Sequence, residues 1–511
     1  MASLSFALVG RTAGYIVVLL LVRFVYRLYT VRMKIRKYAK DTNTLGMPHH
    51  FIFGHMIESG KAFKDVPMEI NRLTLMSLFL RQHSDIIKDG VIVMDVWPMI
   101  DPILYVMDPE IVSQFSNQQV LAKTLPKSNQ LKDMFTPMFQ GKDLLTMDGP
   151  EWKRWRAIYN PGFSAKNVAT MAPEFIEEID IFKRHLRKVA KSGKVVKMQQ
   201  LAINLTIDVI GRAVLGHNFK CQAEGNPLEK AIADQVKWLI PNRTPDALVK
   251  LLNPFRLYDL WRLERIIRNV LAPAVRENLS NETSTTLHET ILSLAVKAYL
   301  AENPDSNPRF DLEAFLNRTT SHLKIFIFAG HDTTATSLSK IAANPQLLNS
   351  LVYTTAVIKE TLRIFPPALT VRQGRPDVTL HNYKTGKTYP TDGFLVIGAT
   401  FATHKLEEYL PRNEEFLPER FLAKEGEELY VGKNAFRPFE LGPRACIGQE
   451  LAMMELSMIL GLTVREFDFE VDESVFMEGG KRLWGQRVYM VGGLAGHPKG
   501  GMPMMVKVRG R

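Results

Sequence analysis

The sequence predicts a mainly α protein with a minor β part, in the α+β class. The first observation is the helical spacing of apolar residues from Glu174 to about Leu323, where prolines such as Pro241 and Pro273 separate one helix from the next. The second is a set of short runs rich in β-branched and aromatic residues near both ends of the chain. With 511 residues, 46% of them hydrophobic, the chain can bury a large core.

Strands are predicted early and late in the chain, and the early runs are consistent with a small sheet at the start of the main domain. The predicted strands are Val91 to Trp97, Ile103 to Val106, Phe394 to Phe401, Phe467 to Val471, Val488 to Val491 and Met504 to Val508. The sequence contains no visible repeat, low-complexity tract or second domain.

Residues 1–28 are predicted to form a transmembrane anchor. The segment Thr12 to Val22 carries no charge, and it reaches membrane length if Arg11 and Arg23 extend their charged ends to the two faces of the bilayer. No small-residue cleavage site follows, which favours a retained anchor over a removed signal peptide. An amphipathic helix lying on the membrane is the alternative.

Residues 29–48 are interpreted as a basic linker and hinge that ends in Leu45-Gly46-Met47-Pro48, and residues 49–511 as one domain. The cations that follow the apolar run place this domain on the cytosolic side of the membrane. The first forty residues hold eight cations and no acid, so eight of the twelve net positive charges lie there and four elsewhere. This distribution argues against a nucleic-acid-binding protein.

One of only two cysteines, Cys446, lies in the loop FELGPRACIG at residues 439–448, just before a helical run from Leu451 to Leu460. A thiolate is stabilised by positive potential, which both a helix N-terminus and Arg444 supply. Zinc would require several Cys or His ligands close in sequence, and this segment has none. Without its loop, a lone buried cysteine is more often an inert small hydrophobe.

Five loop residues, Phe439, Gly442, Arg444, Cys446 and Gly448, match FxxGxRxCxG and resemble the haem-binding signature of the cytochrome P450 superfamily. The resemblance implies the cytochrome P450 fold, haem b as the cofactor and Cys446 as the thiolate ligand of its iron. It also implies that Phe439, Arg444 and Gly448 surround the cofactor.

The segment AGHDTT at residues 329–334 resembles the oxygen-activation segment of the same family. Thr333 and Asp332 would then relay protons to oxygen, and Gly330 would leave room for dioxygen beside the helix. The alternative is an ordinary helix cap, because Asp and Thr favour such positions.

Three charged residues are expected to form a scaffold behind the Cys446 loop rather than to act as catalysts. Glu360 and Arg363 resemble the family's ExxR motif, and their spacing puts both charges on one helix face. Arg420, in the segment PERF, resembles the arginine that joins this pair in the family. A buried group of this kind must be fully hydrogen-bonded.

Trp152 and Arg156 resemble the family's WxxxR motif, which places an indole N–H and a guanidinium near a haem propionate. Arg372 and Arg444 resemble further propionate partners, and arginine suits a carboxylate because it can bind both oxygens.

Neighbouring polar residues receive less specific interpretations. Lys153 and Arg154 are predicted to lie on a solvated basic face, with docking of an acidic redox partner as the alternative. His322, His331 and His404 lack a supporting loop, so polar or surface roles are predicted for them.

The resemblance implies a haem-thiolate monooxygenase that oxidises a small apolar organic substrate with dioxygen. NADPH-cytochrome P450 reductase would supply the electrons, because the glycines near Val491 lack the spacing of a dinucleotide site. Segments such as Tyr353 to Glu360 are similar to fungal microsomal members, including enzymes of polyketide toxin pathways of the sterigmatocystin, aflatoxin and dothistromin kind in fungal secondary metabolism. The implied location is the endoplasmic reticulum membrane, with a single pass and the catalytic domain facing the cytosol.

The sequence departs from the family between Thr333 and Glu360, which are only 27 residues apart (360 minus 333). The domain is therefore expected to be shortened between residues 336 and 346, through a mispredicted or skipped exon segment or through a real deletion.

Two other functions stay open. One is an inactive or non-catalytic haem protein, and the other is a haem-thiolate isomerase or dehydratase that needs no reductase.

Overall fold

Helices make up most of the described structure, which confirms the mainly α prediction with a minor β part. The computed structural model describes residues 2–44, 47–64, 66–67, 69–71, 89–116, 124–240, 245–280, 289–302, 312–341, 351–476, 489–492 and 496–510. The helices there are α1 (Ala2–Thr42), α2 (Met56–Ala62), α3 (Pro109–Ser116), α4 (Asn129–Phe139), α5 (Gly149–Tyr159), α6 (Ala165–Thr170), α7 (Ala172–Ser192), α8 (Met198–Leu215), α9 (Pro227–Lys237), α10 (Pro245–Leu252), α11 (Arg256–Ser280), α12 (Ile291–Glu302), α13 (Leu312–Ile341), α14 (Leu351–Ile364), α15 (Thr400–Thr403) and α16 (Gln449–Thr463).

Short strands form small sheets beside the helices. The strands are β1 (Val91–Met94), β2 (Ile103–Val106), β3 (Val196–Lys197), β4 (Thr370–Gln373), β5 (Thr379–His381), β6 (Thr388–Pro390), β7 (Leu395–Gly398), β8 (Phe467–Val471), β9 (Met490–Val491), β10 (His497–Pro498) and β11 (Pro503–Val508). The largest sheet has the order β1-β2-β7-β4, in which β2 and β7 run parallel and the other neighbours antiparallel. A second sheet has the order β3-β11-β8, and β5–β6 and β9–β10 form two-stranded ribbons.

Each predicted strand region contains a strand. Ile103–Val106 and Phe467–Val471 agree residue for residue. In the predicted run from Val488, strand structure is confined to Met490–Val491, and Val488 itself lies outside the described residues. Strands β3 to β6 and β10 were not predicted, because they are two to four residues long and lack a periodic pattern of their own.

The long helix α13 packs closely on α8, and a glycine makes this approach possible. A Cβ atom added to Gly330 would lie 2.9 Å from Cδ1 of Ile210 on α8. Ile210 thus occupies the side of α13 to which a side chain at this position would point, while Gly330 itself keeps partly exposed surface beside the exposed Ala329. Gly330 serves close helix packing here.

Helix α1 extends beyond the predicted anchor and joins the body of the protein. Arg32 is fully buried, forms an ion pair with Asp95 next to β1, and donates further hydrogen bonds to backbone carbonyls. Ile35 and Ala39 are buried on the same side of the helix. Residues 29–42 are therefore part of α1 and its contact with the body rather than a linker, while residues 45 and 46 lie outside the described residues.

One helix in the described part of the chain, over Arg11–Thr42, is long and apolar enough to cross a membrane by length and composition. Its most apolar portion makes no buried contact with the rest of the protein. The finding is compatible with a membrane anchor at the N-terminus.

Candidate active site

The Cys446 loop folds back on itself just before α16. The N–H of Cys446 donates to the carbonyl of Phe439 (2.8 Å), and the N–H of Ala445 donates to the carbonyl of Gly442 (3.0 Å). Gly442 has a φ of 79°, a left-handed conformation that favours glycine. The loop thereby places the sulfur beside Gly448, the residue that precedes the first turn of α16.

The thiol of Cys446 borders an internal space. The residue has exposed surface although protein surrounds it, whereas the other cysteine, Cys221, is closely packed and buried. Burial raises the pKa of the Cys446 thiol, while the N–H of Gly448 and the guanidinium of Arg156 act to lower it. Burial thus outweighs these two groups, which nevertheless favour the thiolate on the side where the residue is accessible.

Two predicted cofactor-binding arginines carry charges without a carboxylate in direct contact. Arg372 on β4 is 3% exposed, and its guanidinium donates to the carbonyl of Val371 (3.2 Å). Arg156 on α5 is half-buried and forms no ion pair with a described residue. Burial lowers the pKa of both groups, because neither cation is compensated at contact distance.

The other two predicted residues of this group, Trp152 and Arg444, contact each other. The guanidinium carbon of Arg444 lies 3.7 Å from the ring centre of Trp152, and Nη2 donates to Oδ1 of Asp148 (2.6 Å). Burial lowers the pKa of Arg444 to about 10 even with Asp148 nearby. The buried ring of Trp152 thus packs against the guanidinium of Arg444 and holds it in place.

Sequence reasoning missed a further cation, Lys127, in the connection before α4. Its backbone pairs with that of Arg372, and its N–H donates to the carboxylate of Asp148 (3.0 Å). Burial lowers the pKa of Lys127 well below its ordinary value, with Arg372 and Arg444 adding to the effect. No motif spacing marks Lys127 in the sequence, because only the fold brings it to this place.

These residues give the pocket an excess of positive charge that fits haem b. The cations are Lys127, Arg156, Arg372 and Arg444. The acids that face them are Asp148, which pairs with Arg444 (2.6 Å) and Lys132 (2.9 Å), and Glu440, which pairs with Arg437, so Arg156 and Arg372 have no described acid at contact distance. The uncompensated charge can therefore be balanced by the propionates of haem, and the Cys446 sulfur can reach its iron from the loop.

Asp332 and Thr333 lie in the middle of α13, next to a helical surface that is open at Ala329. The hydroxyl of Thr333 donates to the carbonyl of Ala329 (2.7 Å). Oδ1 of Asp332 lies 3.7 Å from Nε2 of His497 in β10. Neither residue caps this helix, so the alternative of an ordinary helix cap does not hold.

The structure brings Glu360, Arg363 and Arg420 together as a buried, fully bonded group. Nε and Nη2 of Arg363 donate to the two oxygens of Glu360 (2.7 and 2.8 Å), and Nε of Arg420 donates to the same carboxylate (3.1 and 3.2 Å). The remaining guanidinium N–H groups bind backbone carbonyls between residues 404 and 415. All three side chains are at most 1% exposed.

His404 links this group to the Cys446 loop, which the sequence did not reveal. Its Nδ1 contacts the carbonyl of Arg363 (2.9 Å), and its Nε2 accepts from the N–H of Arg437 (3.1 Å). Burial lowers the pKa of His404 to about 3, so the ring is neutral with its proton on Nδ1. The scaffold is thus connected to the start of the loop that carries Cys446.

The other two histidines and the two basic residues of α5 have structural positions. His322 and His331 are buried, which corrects the expectation of possible surface roles. Arg154 forms a partly exposed ion pair with Glu302 (3.0 Å), and Lys153 is exposed, as a basic solvated face requires.

Comparison with known proteins agrees with this arrangement. The family model described as cytochrome P450 matches residues 88–344 and 342–479. The chain is 31% identical to cytochrome P450 monooxygenase polC of Polytolypa hystricis, over 95% of this chain and 93% of that protein. It is 29% identical to cytochrome P450 monooxygenase acrF of Aspergillus aculeatus, over 86% of this chain and 98% of that protein.

A solved structure shows the same fold. A crystal structure of a cytochrome P450 matches with a TM-score of 0.66 at 18% identity, and covers 86% of this chain and 95% of that one. Fold, sequence similarity and the pocket at Cys446 lead to one assignment. The chain belongs to the cytochrome P450 family, whose cofactor is haem b with its iron bound by a cysteine thiolate.

Proposed function

We propose that the protein is a haem-thiolate monooxygenase that inserts one atom of dioxygen into an apolar organic substrate, with Cys446 as the iron ligand. The observation that carries this proposal is a cysteine that borders an internal space and faces the charge of Arg156, which forms no ion pair with a described residue. When bound, haem supplies the oxygen-activating chemistry, and the thiolate donates electron density that favours O–O cleavage.

The residues around the cofactor are assigned complementary roles. Trp152, Arg156, Arg372 and Arg444 are proposed to hold the propionates, together with Lys127. Phe439 accepts the N–H of Cys446 through its carbonyl, and Gly448 directs its own N–H at the sulfur, so both shape the thiolate pocket. Glu360, Arg363 and Arg420 are proposed to fix the position of this loop from behind.

Asp332 and Thr333 are proposed to deliver protons to the reacting oxygen. Asp332 offers a carboxylate, and Thr333 a hydroxyl that is held by the carbonyl of Ala329. A haem-thiolate isomerase or dehydratase would have little use for this pair. No observation in the described structure favours that alternative.

The substrate is proposed to be apolar because aromatic rings lie beside α13. Phe135 and Phe139 on α4 lie 6.4 and 6.2 Å, between ring centres, from Phe328 on α13. These rings are buried in the main hydrophobic cluster and make this side of α13 apolar, which suits an apolar substrate better than a small, highly charged one. Similarity to the fungal monooxygenases polC and acrF supports a place in fungal secondary metabolism. The fungal-type segments of the sequence extend this proposal to pathways of the polyketide toxin kind.

Electrons are proposed to come from NADPH-cytochrome P450 reductase at the endoplasmic reticulum membrane. Helix α1 supports a single-pass anchor with the catalytic domain in the cytosol. A second apolar surface on α10 and the start of α11 supports contact with the same membrane. Its exposed side chains are Leu248, Val249, Leu251, Leu252, Phe255, Leu257, Tyr258 and Trp261.

The experiment that tests the activity uses the full chain in membranes with reductase and NADPH. Comparison of metabolites before and after gene disruption identifies the accumulating substrate, which is then supplied to the protein under isotopically labelled dioxygen. Monooxygenation requires NADPH and puts one labelled atom into the product. Turnover without NADPH would instead identify an isomerase or dehydratase.

A further inference from the structure

A histidine from the C-terminal β-ribbon reaches the carboxylate in the middle of α13. His497 begins β10, which pairs with β9 in antiparallel register. Nε2 of its ring lies 3.7 Å from Oδ1 of Asp332. This separation is longer than a direct hydrogen bond, and a bridging water or a small rotation of either side chain would close it.

The opposite side of the His497 ring is held by two helices. Nδ1 lies 2.6 Å from the side-chain amide of Gln199 on α8 and 3.4 Å from the hydroxyl of Thr336 on α13. When the Gln199 amide donates to Nδ1, the neutral ring carries its proton on Nε2. The contacts on α8 therefore direct the ring proton at Asp332.

The backbone before the ring is also confined. A Cβ atom added to Gly496 would lie 2.1 Å from Cε of Met490 on β9, so the absence of a side chain lets the two strands of the ribbon lie close together at this point. The next cation along the chain, Lys499, is paired with Glu69 (3.0 Å) and leaves Asp332 as the carboxylate nearest to the ring. His497 is thus held in place beside Asp332 by its own strand.

Exposure changes along this row of groups. The side chain of His497 is 30% exposed and that of Asp332 is 15% exposed. Thr333, the next residue on α13, is half-buried. His497, Asp332 and Thr333 therefore connect a side chain that exchanges protons with water to the part of α13 beside the exposed Ala329.

We propose that His497 supplies protons to Asp332, an inference that rests on the proposed function. The neutral ring takes a second proton from water on Nδ1, where the Gln199 side chain turns its amide oxygen to accept it, and the resulting imidazolium gives its Nε2 proton to the Asp332 carboxylate. Asp332 passes its proton towards Thr333 and the reacting oxygen, and the ring returns to its Nε2–H form by proton exchange with water. The electrons come from NADPH through the reductase, and one oxygen atom leaves as water. His497 acts through Asp332 and is a positioning residue of the proton relay.

The test compares His497→Gln and His497→Phe with the unchanged full-length protein, each with reductase and NADPH. Hydrogen peroxide released per NADPH oxidised is measured across a pH series in H₂O and D₂O. Because slow proton delivery diverts reduced oxygen to peroxide, we expect both variants to raise this ratio at least severalfold and to change its pH profile. Haem content and the carbon monoxide difference spectrum should stay unchanged.

His381→Gln is the matched control, because His381 is a partly buried histidine of another β-ribbon, stacked on Tyr383. It should leave the peroxide ratio unchanged. Asp332→Asn should raise the ratio like the His497 variants, and the double variant should add little more.

Each contrary outcome has its own meaning. An unchanged ratio in both His497 variants, with a raised ratio in Asp332→Asn, would overturn the role of His497 and leave the proposed function intact. A silent Asp332→Asn would remove the proton role of Asp332 and this inference with it. Absence of the thiolate-type spectrum from the unchanged protein would overturn the proposed function itself.

Discussion

At the scale of single residues, the cofactor pocket contains more buried basic side chains than acidic partners for them. Arg372 illustrates this, because it is almost completely buried and its direct hydrogen bond is to a backbone carbonyl. An uncompensated buried cation destabilises the protein without haem and stabilises the bound propionate. Arg372 should therefore lower the stability of the haem-free protein and raise the stability of the haem-bound protein.

Arg372→Gln tests this opposition. Loss of a charge-assisted hydrogen bond of about 1.5–3 kcal/mol should weaken haem retention about ten- to hundredfold. The free energy of unfolding of the haem-free protein should rise. Haem transfer to an acceptor apoprotein measures the first effect, and urea unfolding measures the second.

Arg375→Gln is the control for this variant, because Arg375 is partly exposed and paired with Asp377 (2.8 Å). It should change neither quantity by more than a few tenths of a kcal/mol. A loss of both haem retention and haem-free stability in Arg372→Gln would show that the arginine is structural.

The residues that the sequence could and could not predict differ in a physical way. Cys446 and Arg444 stand at fixed spacings because one short loop must hold them around an iron ligand. Lys127, His404 and His497 acquire their positions through contacts between distant segments, and no local spacing records such contacts. The packing role of Gly330 was not predicted because its neighbour, Ile210, is far away in the sequence.

At the scale of elements, α14 is connected to the loop before α16 through a buried ionic group. Glu360 accepts hydrogen bonds from Arg363, from Arg420 and from the N–H of Leu417 (2.8 Å). Such a group is tolerated when it is complete, and it becomes costly when one partner loses its charge. The position of the loop thus depends on a single carboxylate.

Glu360→Gln should therefore destabilise the protein by about 3–5 kcal/mol, because two buried guanidinium groups lose their counter-charge. Chemical unfolding followed by far-UV circular dichroism measures this loss, and haem retention should fall with it. Glu414→Gln, at an exposed carboxylate with a long contact to Lys405, should remain within about 0.5 kcal/mol of the unchanged protein. Equal stability of the two variants would contradict the scaffold role.

Helix α16 contains a buried acid that should make stability depend on pH. Glu455 is 4% exposed, its Oε1 has no hydrogen-bond partner among the described residues, and burial raises its pKa well above the ordinary value. The unfolded chain therefore releases this proton at lower pH than the folded protein does. Stability contributed by the neutral form is lost as the pH rises above about 4.5.

Glu455→Gln removes this ionisation while it keeps the shape of the neutral acid. The unfolding temperature of the variant should exceed that of the unchanged protein by an amount that grows from pH 5 to pH 8, by about 1–2 °C at the upper end for a gain of about 1–2 kcal/mol in a chain of 511 residues. Differential scanning calorimetry at several pH values measures the difference. A difference that is constant with pH would contradict the assignment.

At the scale of the whole molecule, α1 combines a segment that we propose enters the membrane with a segment that packs on the body of the protein. The N-terminal part exposes its apolar side chains, whereas Arg32, Ile35 and Tyr38 are buried on one side of the helix, and the last two pack in the cluster that contains the largest sheet. The sequence predicted the anchor from apolar length. It did not predict the second role, because the basic residues that follow resemble a flexible linker in composition.

Two deletions separate these roles. Removal of residues 2–28 should release the protein from membranes and leave the stability of the body unchanged. Removal of residues 2–44 should also cost about 3–5 kcal/mol, because Asp95 loses its buried partner Arg32. Membrane sedimentation and urea unfolding measure the two effects, and equal stability of the two shortened proteins would contradict the contact.

The connection between α13 and α14 is the other feature of the whole chain that the sequence singled out. Helix α13 ends at Ile341 and α14 begins at Leu351, and residues 342–350 lie outside the described residues. The two stretches of the family match meet at residues 342–344, which supports the proposal of a shortened chain here. Sequencing of the transcript across Ser339 distinguishes a skipped segment from a real deletion.

The most direct test of the account is the carbon monoxide difference spectrum of the reduced, haem-loaded protein. The unchanged protein and Cys221→Ala, at a buried cysteine away from the loop, should both give the thiolate-type spectrum, whereas Cys446→Ala should not. A thiolate-type spectrum that survives Cys446→Ala, or its absence from the unchanged protein with haem bound, would contradict the assignment of Cys446 as the iron ligand.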